Sequence, residues 1–310
     1  MADLKPFFNF EIKENTEEPT GFFIGPNQLI YVCNCDSKGS VQVFDLKSKF
    51  QFEFDLKGDW YKRLHCPYQI TFGSTDQLLY IHGVNDSNFE IQVFDLEGNF
   101  KFFLCEESFK NRLTQPKMRL IQSQIGPNRL IYINVRNHIR AFDHNGKLQF
   151  IFGLRNSDGD LLYENDYRGL YFGSNDLLYV CDFHNHCIQV FDQKGNFKFQ
   201  FGSEGKKPGQ FHHPYNLWIS PDQLLYICDI SWFIHVFNMK GEFQFRINLE
   251  IFKKELGFDI GSALYSLQIG PNNLLYILDE DNECFRIFQH TKDKSLYQII
   301  AESLKKRKIK

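Results

Sequence analysis

Two cysteines and two histidines lie within seven residues of this chain, in the segment CDFHNHC. The residues are Cys181, His184, His186 and Cys187, and their thiol and imidazole groups are ligands that zinc prefers. A zinc site requires such groups to converge on one ion at about 2.0–2.3 Å, and so short a segment does this only if its backbone curls around the ion. The residues have a structural role instead if the segment is one copy of a repeat, so the rest of the chain decides between the two interpretations.

The rest of the chain does repeat, with a period of roughly 50 residues. Apolar segments such as LIYV or LLYI recur along it, with tyrosines at Tyr31, Tyr80, Tyr132, Tyr179, Tyr226 and Tyr276. A turn rich in Gly, Pro, Asn or Asp, such as GPNQ, precedes each of them. About twelve residues later follows a motif of the QVFD type, then a glycine turn such as QKGN and a run such as FKFQF. The segment CDFHNHC is therefore one copy of a repeated unit.

Each unit predicts four short β-strands, because apolar and aromatic residues alternate with polar residues at a period of two. We name these strands A to D in chain order. Six such units indicate an all-β fold, a six-bladed β-propeller with four-stranded antiparallel blades. The blades are predicted to begin near residues 20, 68, 119, 168, 215 and 265, and residues 1–310 to form a single domain.

The two ends of the chain predict how the ring closes. The segment FFNFEI at 7–12 copies the pattern of strand D, so we expect an N-terminal strand to complete the last blade. The segment that begins at residue 295 is an alternative strand D of the last blade, but residues 296–304 place apolar side chains at helical spacing and also match a short C-terminal helix. Residues 302–310 form a basic tail, whose KKRKIK end also matches a nuclear-import or phosphate-binding tag.

The unit at 185–229, from NHCIQVFDQKGNFKFQFG to PYNLWISPDQLLYICD, closely resembles the NHL repeat. The pattern of that family includes P-x-G-I-x-V, a strand ending in V-x-D, an Asn-His pair, I-x-V-F-D and G-x-F. The resemblance extends over roughly residues 18–290 and implies the NHL type of propeller, as in tripartite-motif NHL proteins. Those proteins often carry RING, B-box and coiled-coil segments of ubiquitin ligases. We expect no ligase activity here, because zinc-ligand spacing of that kind is missing.

The resemblance gives the cysteine and histidine cluster a structural explanation. Asn185–His186 occupy the Asn-His position of the repeat, and Asn137–His138 occupy it one blade earlier. A cysteine follows the tyrosine by two residues in three blades, at Cys33, Cys181 and Cys228. Such a position suits a small buried residue, which free cysteine provides. We therefore expect no metal in this segment.

The top face of the propeller is the predicted binding surface, because the D–A and B–C loops of NHL-like propellers lie there. Its predicted binding residues are Tyr68, Arg168, Tyr215, Tyr265, His65, His212, Lys62, Arg63, Arg119, Lys206 and Lys207. Tyrosine and arginine are common anchors of protein interfaces, and aromatic rings interleaved with basic residues also bind single-stranded RNA. Other top loops are acidic and the net charge is −3, which favours a protein partner over RNA. A third interpretation is that the rings only cap the core.

An enzyme is the second alternative, since some related six-bladed propellers are lyases or lactonases with zinc or calcium in the channel. His65 and His212 stand two residues before Pro67 and Pro214, in opposite blades, but no third histidine matches them. The polar residues of the inner strands are mainly glutamines and include no carboxylate. The sequence therefore predicts no catalytic residue, no metal and no cofactor.

The composition predicts where in the cell the protein is located. No stretch of about 18 apolar residues occurs, so we expect no membrane contact. Eight cysteines without C-x-x-C pairs fit a reducing compartment, which predicts a cytoplasmic protein, with the nucleus as an alternative because of KKRKIK. We expect the propeller to be a monomer.

Overall fold

The computed structural model describes residues 9–11, 19–35, 39–57, 66–73, 76–85, 88–104, 122–135, 138–153, 169–248, 267–270, 274–279 and 284–289. They fold into β-strands and turns, and no α-helix occurs among them. None of these residues belongs to a helix that is long and apolar enough to cross a membrane. The predicted helix at 296–304 and the tail at 302–310 lie outside the described residues.

Five of the sheets are each built from four consecutive antiparallel strands. Blade 1 contains β2 (Pro19–Ile24), β3 (Leu29–Asn34), β4 (Ser40–Asp45) and β5 (Phe50–Asp55). Blade 2 contains β6 (Cys66–Gly73), β7 (Leu78–Asn85), β8 (Asn88–Phe94) and β9 (Phe100–Leu104). Blade 3 contains β10 (Ser123–Ile125), β11 (Ile131–Val135), β12 (His138–Phe142) and β13 (Leu148–Gly153). Blade 4 contains β14 (Leu170–Phe172), β15 (Leu178–Asp182), β16 (Cys187–Phe191) and β17 (Phe197–Phe201). Blade 5 contains β18 (Pro214–Ile219), β19 (Leu224–Asp229), β20 (Phe233–Asn238) and β21 (Phe243–Asn248).

A further four-stranded sheet, here called the closing sheet, combines the two ends of the chain. It contains β1 (Asn9–Glu11), β24 (Cys284–Gln289), β23 (Leu274–Asp279) and β22 (Leu267–Ile269), in this spatial order. Strand β1 pairs antiparallel with β24, with Asn9 opposite Arg286 and Glu11 opposite Cys284. The prediction that an N-terminal strand closes the ring is confirmed. The propeller class with four-stranded antiparallel blades is confirmed as well.

The predicted blade starts can be compared with the strands. Strands β2, β6 and β18 contain residues 20, 68 and 215, whereas residues 119, 168 and 265 lie outside the described ranges.

In blades 1, 3 and 4 the repeated tyrosine links the blade to the next one. Tyr179 in β15 is fully buried, and its hydroxyl donates to the backbone oxygen of Met239, at 2.7 Å, in the β20–β21 turn of blade 5. The side chain of Asn175, four residues earlier, donates to the same hydroxyl at 2.9 Å. The corresponding residues of blades 1 and 3 make the same bonds: Asn27, Tyr31 and Leu96, and Asn128, Tyr132 and Gln193. The Asn and Tyr of the repeat therefore hold neighbouring blades together.

The glycine of the C–D turn packs against a phenylalanine of the preceding blade. Gly195 and Gly241 both have φ of +80°. A Cβ atom on Gly195 would lie 2.5 Å from the ring of Phe152, and one on Gly241 would lie 2.6 Å from the ring of Phe201. Both the backbone conformation and the close ring therefore require glycine.

The core lies between the blades as well as within them. One cluster of buried residues joins Tyr179, Cys181 and Val190 of blade 4 to Leu217 and Phe237 of blade 5. Each blade thus covers one apolar face with its neighbour, which explains why a single repeat is not stable alone.

One cysteine departs from the sequence-based expectation of reduced thiols. Cys35, directly after β3, is disulfide-bonded to a cysteine whose side chain is not among those described. Cys33, Cys181, Cys187 and Cys228 are free and buried.

Candidate functional site

The loops of blades 4 and 5 that could contact a partner lie at one end of the sheets. Alternate loops of an antiparallel sheet emerge at the same end, so the β15–β16 loop, the β17–β18 loop and the β19–β20 loop lie together. We call this end the top rim. A backbone hydrogen bond of 3.0 Å from Ile230 to the carbonyl of His212 joins two of the three loops directly.

Two of the predicted rim tyrosines are partly or wholly in the core. Tyr215 is 4% exposed and packs between blade 5 and the closing sheet, beside Ile269 and Leu275. Tyr68 keeps part of its ring exposed, but its hydroxyl is buried, and burial raises the pKa of that hydroxyl. Tyr215 offers a partner almost no surface, so its burial supports the interpretation that such rings cap the core.

The other predicted site residues divide into two groups. Lys206 and Lys207 are exposed in the β17–β18 loop, and His212 is half-buried at its end. The remaining ones lie outside the described residues: Arg168, Tyr265, His65, Lys62, Arg63 and Arg119.

The β17–β18 loop is held in place by contacts at its middle and at its C-terminal end. Arg246 donates to the backbone oxygen of Lys206 at 2.8 Å, and its guanidinium lies 4.3 Å from the ring centre of Phe233. Phe211 is fully buried in the core between blades 4 and 5. The backbone N–H of His212 donates to the Oδ2 atom of Asp229 at 2.8 Å. The loop therefore presents its two lysines from a fixed backbone.

Aromatic and apolar side chains also lie on the two other loops of the top rim. Phe183 and His184 come from the β15–β16 loop, and Ile230 and Trp232 come from the β19–β20 loop. Ile230 is 42% exposed, and Phe183 and Trp232 are half-buried. We define the rim patch by its members Phe183, His184, Lys206, Lys207, Ile230 and Trp232. It combines aromatic, apolar and cationic groups, which is the composition of a binding surface.

Three histidines next to the rim patch form a compact histidine cluster, defined as His186, His212 and His213. One ring nitrogen from each lies within 4.8 Å of the others. The ring centres of His186 and His213 are 4.2 Å apart, and those of His212 and His213 are 4.9 Å apart. The ring of Phe183 stacks on that of His213 at 4.5 Å.

Hydrogen bonds fix the protonation of two of these rings. The Nδ1 atom of His213 lies 2.9 Å from the carbonyl oxygen of Phe183, which only accepts, so this nitrogen carries the proton. The backbone N–H of His213 donates to Nδ1 of His186 at 3.1 Å. Burial of His186 lowers its pKa, and the charge of His213 lowers it further, while Glu204 opposes the change. His186 is therefore neutral at neutral pH.

A buried Asp229, Ser231 and His235 beneath the rim have the residue types of a catalytic triad but not its geometry. Ser231 Oγ donates to Oδ1 of Asp229 at 2.6 Å, and Nε2 of His235 lies 3.2 Å from Oδ2. Both partners contact the carboxylate, whereas a triad requires the serine to contact the histidine. Burial alone would raise the pKa of Asp229, but the bonds from His235, Ser231 and the His212 amide outweigh burial and lower it. The group anchors the rim loops.

Glutamines of the inner strands link blades instead of forming a reactive lining. Gln122 donates to Oδ1 of Asn216 at 3.1 Å and accepts from the backbone of Leu170 at 3.2 Å. Gln268 accepts from the backbone of Ile24 at 2.8 Å. Within the described ranges, the histidine cluster is the single group of three or more metal-ligating side chains that converge.

Comparisons with known proteins agree with this architecture. The family pattern described as NHL repeat matches residues 168–191. Protein brain tumor from Drosophila melanogaster is 33% identical over 89 residues, which are 28% of this chain. The fold is a β-propeller, and one segment of it matches the NHL repeat. The matched segment spans only 8% of the length of the Drosophila protein, so the likeness concerns the propeller and not that whole protein.

Two solved structures share the fold of this propeller. Virginiamycin B lyase from Staphylococcus aureus, in a catalytically inactive form with quinupristin, superposes with a TM-score of 0.59 at 16% identity, over 88% of this chain and 81% of that one. A periplasmic gluconolactonase from Pseudomonas aeruginosa gives a TM-score of 0.59 at 13% identity, over 89% of this chain and 82% of that one. At such low identity the similarity shows the fold alone.

The histidine cluster was not predicted from the sequence. His186 was assigned to the Asn-His position of the repeat, and His212 was compared with His65 in the opposite blade. The cluster forms instead between the β15–β16 loop of blade 4 and the β17–β18 loop, which connects blade 4 to blade 5. The sequence does contain a signal for the cluster. The pair His212–His213 lies in a D–A loop, His186 lies in the preceding B–C loop, and both kinds of loop are expected on the top rim.

Proposed function

We propose that this NHL propeller is a non-enzymatic binding module that recognises a protein partner through the rim patch. The observation that carries the proposal is Ile230, which is 42% exposed on the top rim, where its backbone N–H donates to the carbonyl oxygen of His212. Exposed apolar residues beside half-buried aromatic rings are typical of interface anchors, and nearby cations add complementarity to an acidic partner. The fixed backbone of the β17–β18 loop lowers the ordering cost of binding.

The enzymatic alternative has less support from the described residues. The lyase and the lactonase share the fold of this chain, and a fold does not determine a reaction. The described glutamines of the inner strands are used in bonds between blades, and the Asp229 group lacks triad geometry. We therefore propose that the protein has no catalytic residue.

Single-stranded RNA is the alternative ligand for the same surface. Lys206 and Lys207 are exposed, and the rim patch also contains the half-buried rings of Phe183 and Trp232, which are of the type that stacks on bases. The net charge of −3 opposes a purely electrostatic mode of RNA binding. The salt dependence of binding separates the two ligands.

The test is capture of a partner from a cell extract, with and without nuclease, by the full chain and its variants. Truncating interface anchors costs about 2 kcal/mol or more each, so the double variant Ile230→Asp with Trp232→Ala should abolish capture. The control is Phe197→Ala, because Phe197 is 48% exposed but begins β17 at the opposite end of the blade. Melting temperatures verify that each variant folds.

Three outcomes decide the proposal. Capture that resists nuclease, fails in the double variant and persists in Phe197→Ala supports a protein partner at the rim patch. Capture that is lost with nuclease and falls steeply with salt identifies RNA instead. Capture that is lost only in Phe197→Ala places the site at the wrong end of the blades.

Three finer features of the molecule are part of the same proposal. We propose a ring of six blades, composed of the five consecutive ones and the closing sheet. We also propose that the protein is a monomer. We further propose that it is located in the cytoplasm, which the four free buried cysteines support and the disulfide of Cys35 opposes. Fractionation of cells and thiol labelling of Cys35 test the location.

A further inference from the structure

The histidine cluster has the composition and placement of a metal site. We propose that His186, His212 and His213 bind one divalent transition-metal ion, with Zn²⁺ as the best match, and so tie the β15–β16 loop to the β17–β18 loop. Imidazole suits zinc, copper and nickel, whereas calcium and magnesium prefer oxygen ligands. The inference contradicts the sequence-based expectation of no metal. It is independent of the partner that the rim patch binds.

His213 is oriented as metal-binding histidines are. Its Nδ1–H donates to the carbonyl oxygen of Phe183 at 2.9 Å, so its Nε2 keeps a free electron pair. Histidine ligands almost always donate their second N–H to a carbonyl or carboxylate in this manner, which fixes the tautomer and the ring direction. Stacking of the Phe183 ring at 4.5 Å further restricts the His213 ring.

His212 and His186 bring the remaining two ligands. The recorded bond of His212 to Asp229 uses its backbone, so the bond does not depend on the imidazole. His186 accepts from the His213 amide through Nδ1, and binding of a metal through either of its nitrogens exchanges this hydrogen bond. One neutral hydrogen bond is weak compared with a zinc–imidazole bond, so the exchange favours the metal.

The distances require a modest closure of the cluster. Zinc–nitrogen bonds of about 2.0–2.1 Å in a tetrahedron place ligand nitrogens about 3.4 Å apart. The ring nitrogens now lie within 4.8 Å of one another, so closure moves them by at most about 1.4 Å. Side-chain rotation of the half-buried His212 and His213 supplies such a movement. Three histidines leave a fourth position for water or for a group from a partner.

Titration calorimetry of the full chain with ZnCl₂, after removal of metal by a chelator, tests the site. We expect one zinc per chain and a higher melting temperature with zinc than without. His212→Ala should weaken binding at least about 100-fold, since loss of an outer-shell partner alone costs about 10–100-fold. This variant keeps the backbone bond to Asp229, so its metal-free melting temperature should equal that of the wild type.

His184→Ala is the matched control. His184 is exposed in the same loop as His186, and its ring centre lies 6.1 Å from that of His213, but it is not one of the three converging ligands. Its removal should leave the affinity for zinc unchanged. The absorption of bound Co²⁺ gives a second readout, because tetrahedral nitrogen coordination produces intense visible bands that His213→Gln should abolish.

Several results would overturn the site. They are absence of zinc binding, wild-type affinity in both His212→Ala and His213→Gln, or equal loss of affinity in His184→Ala. The variant Ile230→Asp with Trp232→Ala separates this proposal from the binding function, because it removes the apolar anchors and retains all three histidines. Zinc binding must persist in it whether or not partner capture is lost.

Discussion

His82 shows how a single buried residue sets the response of the fold to pH. It is fully buried between blades 2 and 3, and its Nε2 atom lies 2.8 Å from Ser123 Oγ. Burial lowers the pKa of its imidazole from 6.5 to about 3. In the unfolded chain, His82 therefore binds a proton as the pH falls below about 6.5, whereas in the folded protein its imidazole stays neutral at that pH.

We predict that the free energy of unfolding falls as the pH decreases from about 6.5 toward 3, by up to about 1.4 kcal/mol per pH unit from this residue alone. His82→Gln should be less stable at neutral pH and should lose this slope. Urea unfolding at a series of pH values measures both. Thr71→Ser retains the histidine and the hydroxyl near it, so its slope should equal that of the wild type. An unchanged slope in His82→Gln would contradict the prediction.

At the same scale, the sequence predicted the burial of the repeated cysteines correctly, but it did not predict which aromatic rings are covered by a neighbouring blade. Cysteines two residues after the tyrosine were predicted to be buried, and Cys33, Cys181 and Cys228 are. Tyr215 was predicted at the channel mouth and is in the core. Alignment of strands gives the position of a residue along a blade, but the neighbouring blade decides whether its ring is covered. The histidine cluster was missed for the same reason, because His186 and His213 meet only after the loops pack.

At the scale of elements, the repeat motif is explained by contacts between blades. Tyr179 of blade 4 bonds the C–D turn of blade 5, and Gly195 of blade 4 packs on Phe152 of blade 3. Each of these motif residues thus contacts one neighbouring blade. We call such a contact between two blades a joint. The strands could be predicted from periodicity because these contacts between blades use similar residues at the same position of several units. The loops vary between units, so their contacts could not be predicted.

Removal of one such joint should cost a measurable part of the stability. In Tyr179→Phe the ring stays buried, while the backbone oxygen of Met239 and the amide of Asn175 lose their partner. We expect a loss of about 1–3 kcal/mol, which is the usual cost of leaving buried polar groups unsatisfied. Thermal and urea unfolding measure it. Asn175→Ala should cost less, because the bond from Tyr179 to Met239 remains; a larger loss in Asn175→Ala would refute the joint.

For the whole molecule, closure joins parts of the chain that are far apart in sequence. Strand β1 completes the closing sheet, and the side chain of Gln268 bonds both backbone groups of Ile24, at 2.8 and 3.4 Å. The N-terminal closure could be predicted because 7–12 repeats the strand D pattern. The bond of Gln268 could not, since glutamine in an inner strand has no sequence signal for its partner.

Deletion of residues 1–13 tests the closure directly. The truncated chain keeps β24 but loses β1, so the backbone groups of β24 that pair with Asn9–Glu11 face solvent. An unpaired edge strand lowers stability and also pairs with other chains, so we expect a loss of at least about 2 kcal/mol together with aggregation on heating. Thermal unfolding and size-exclusion chromatography measure the two effects. Phe10→Pro in the full chain removes one backbone donor of β1 and should shift stability in the same direction, by less. The closure is refuted if the truncated chain melts like the full chain and stays monomeric after heating, because another segment must then cover β24.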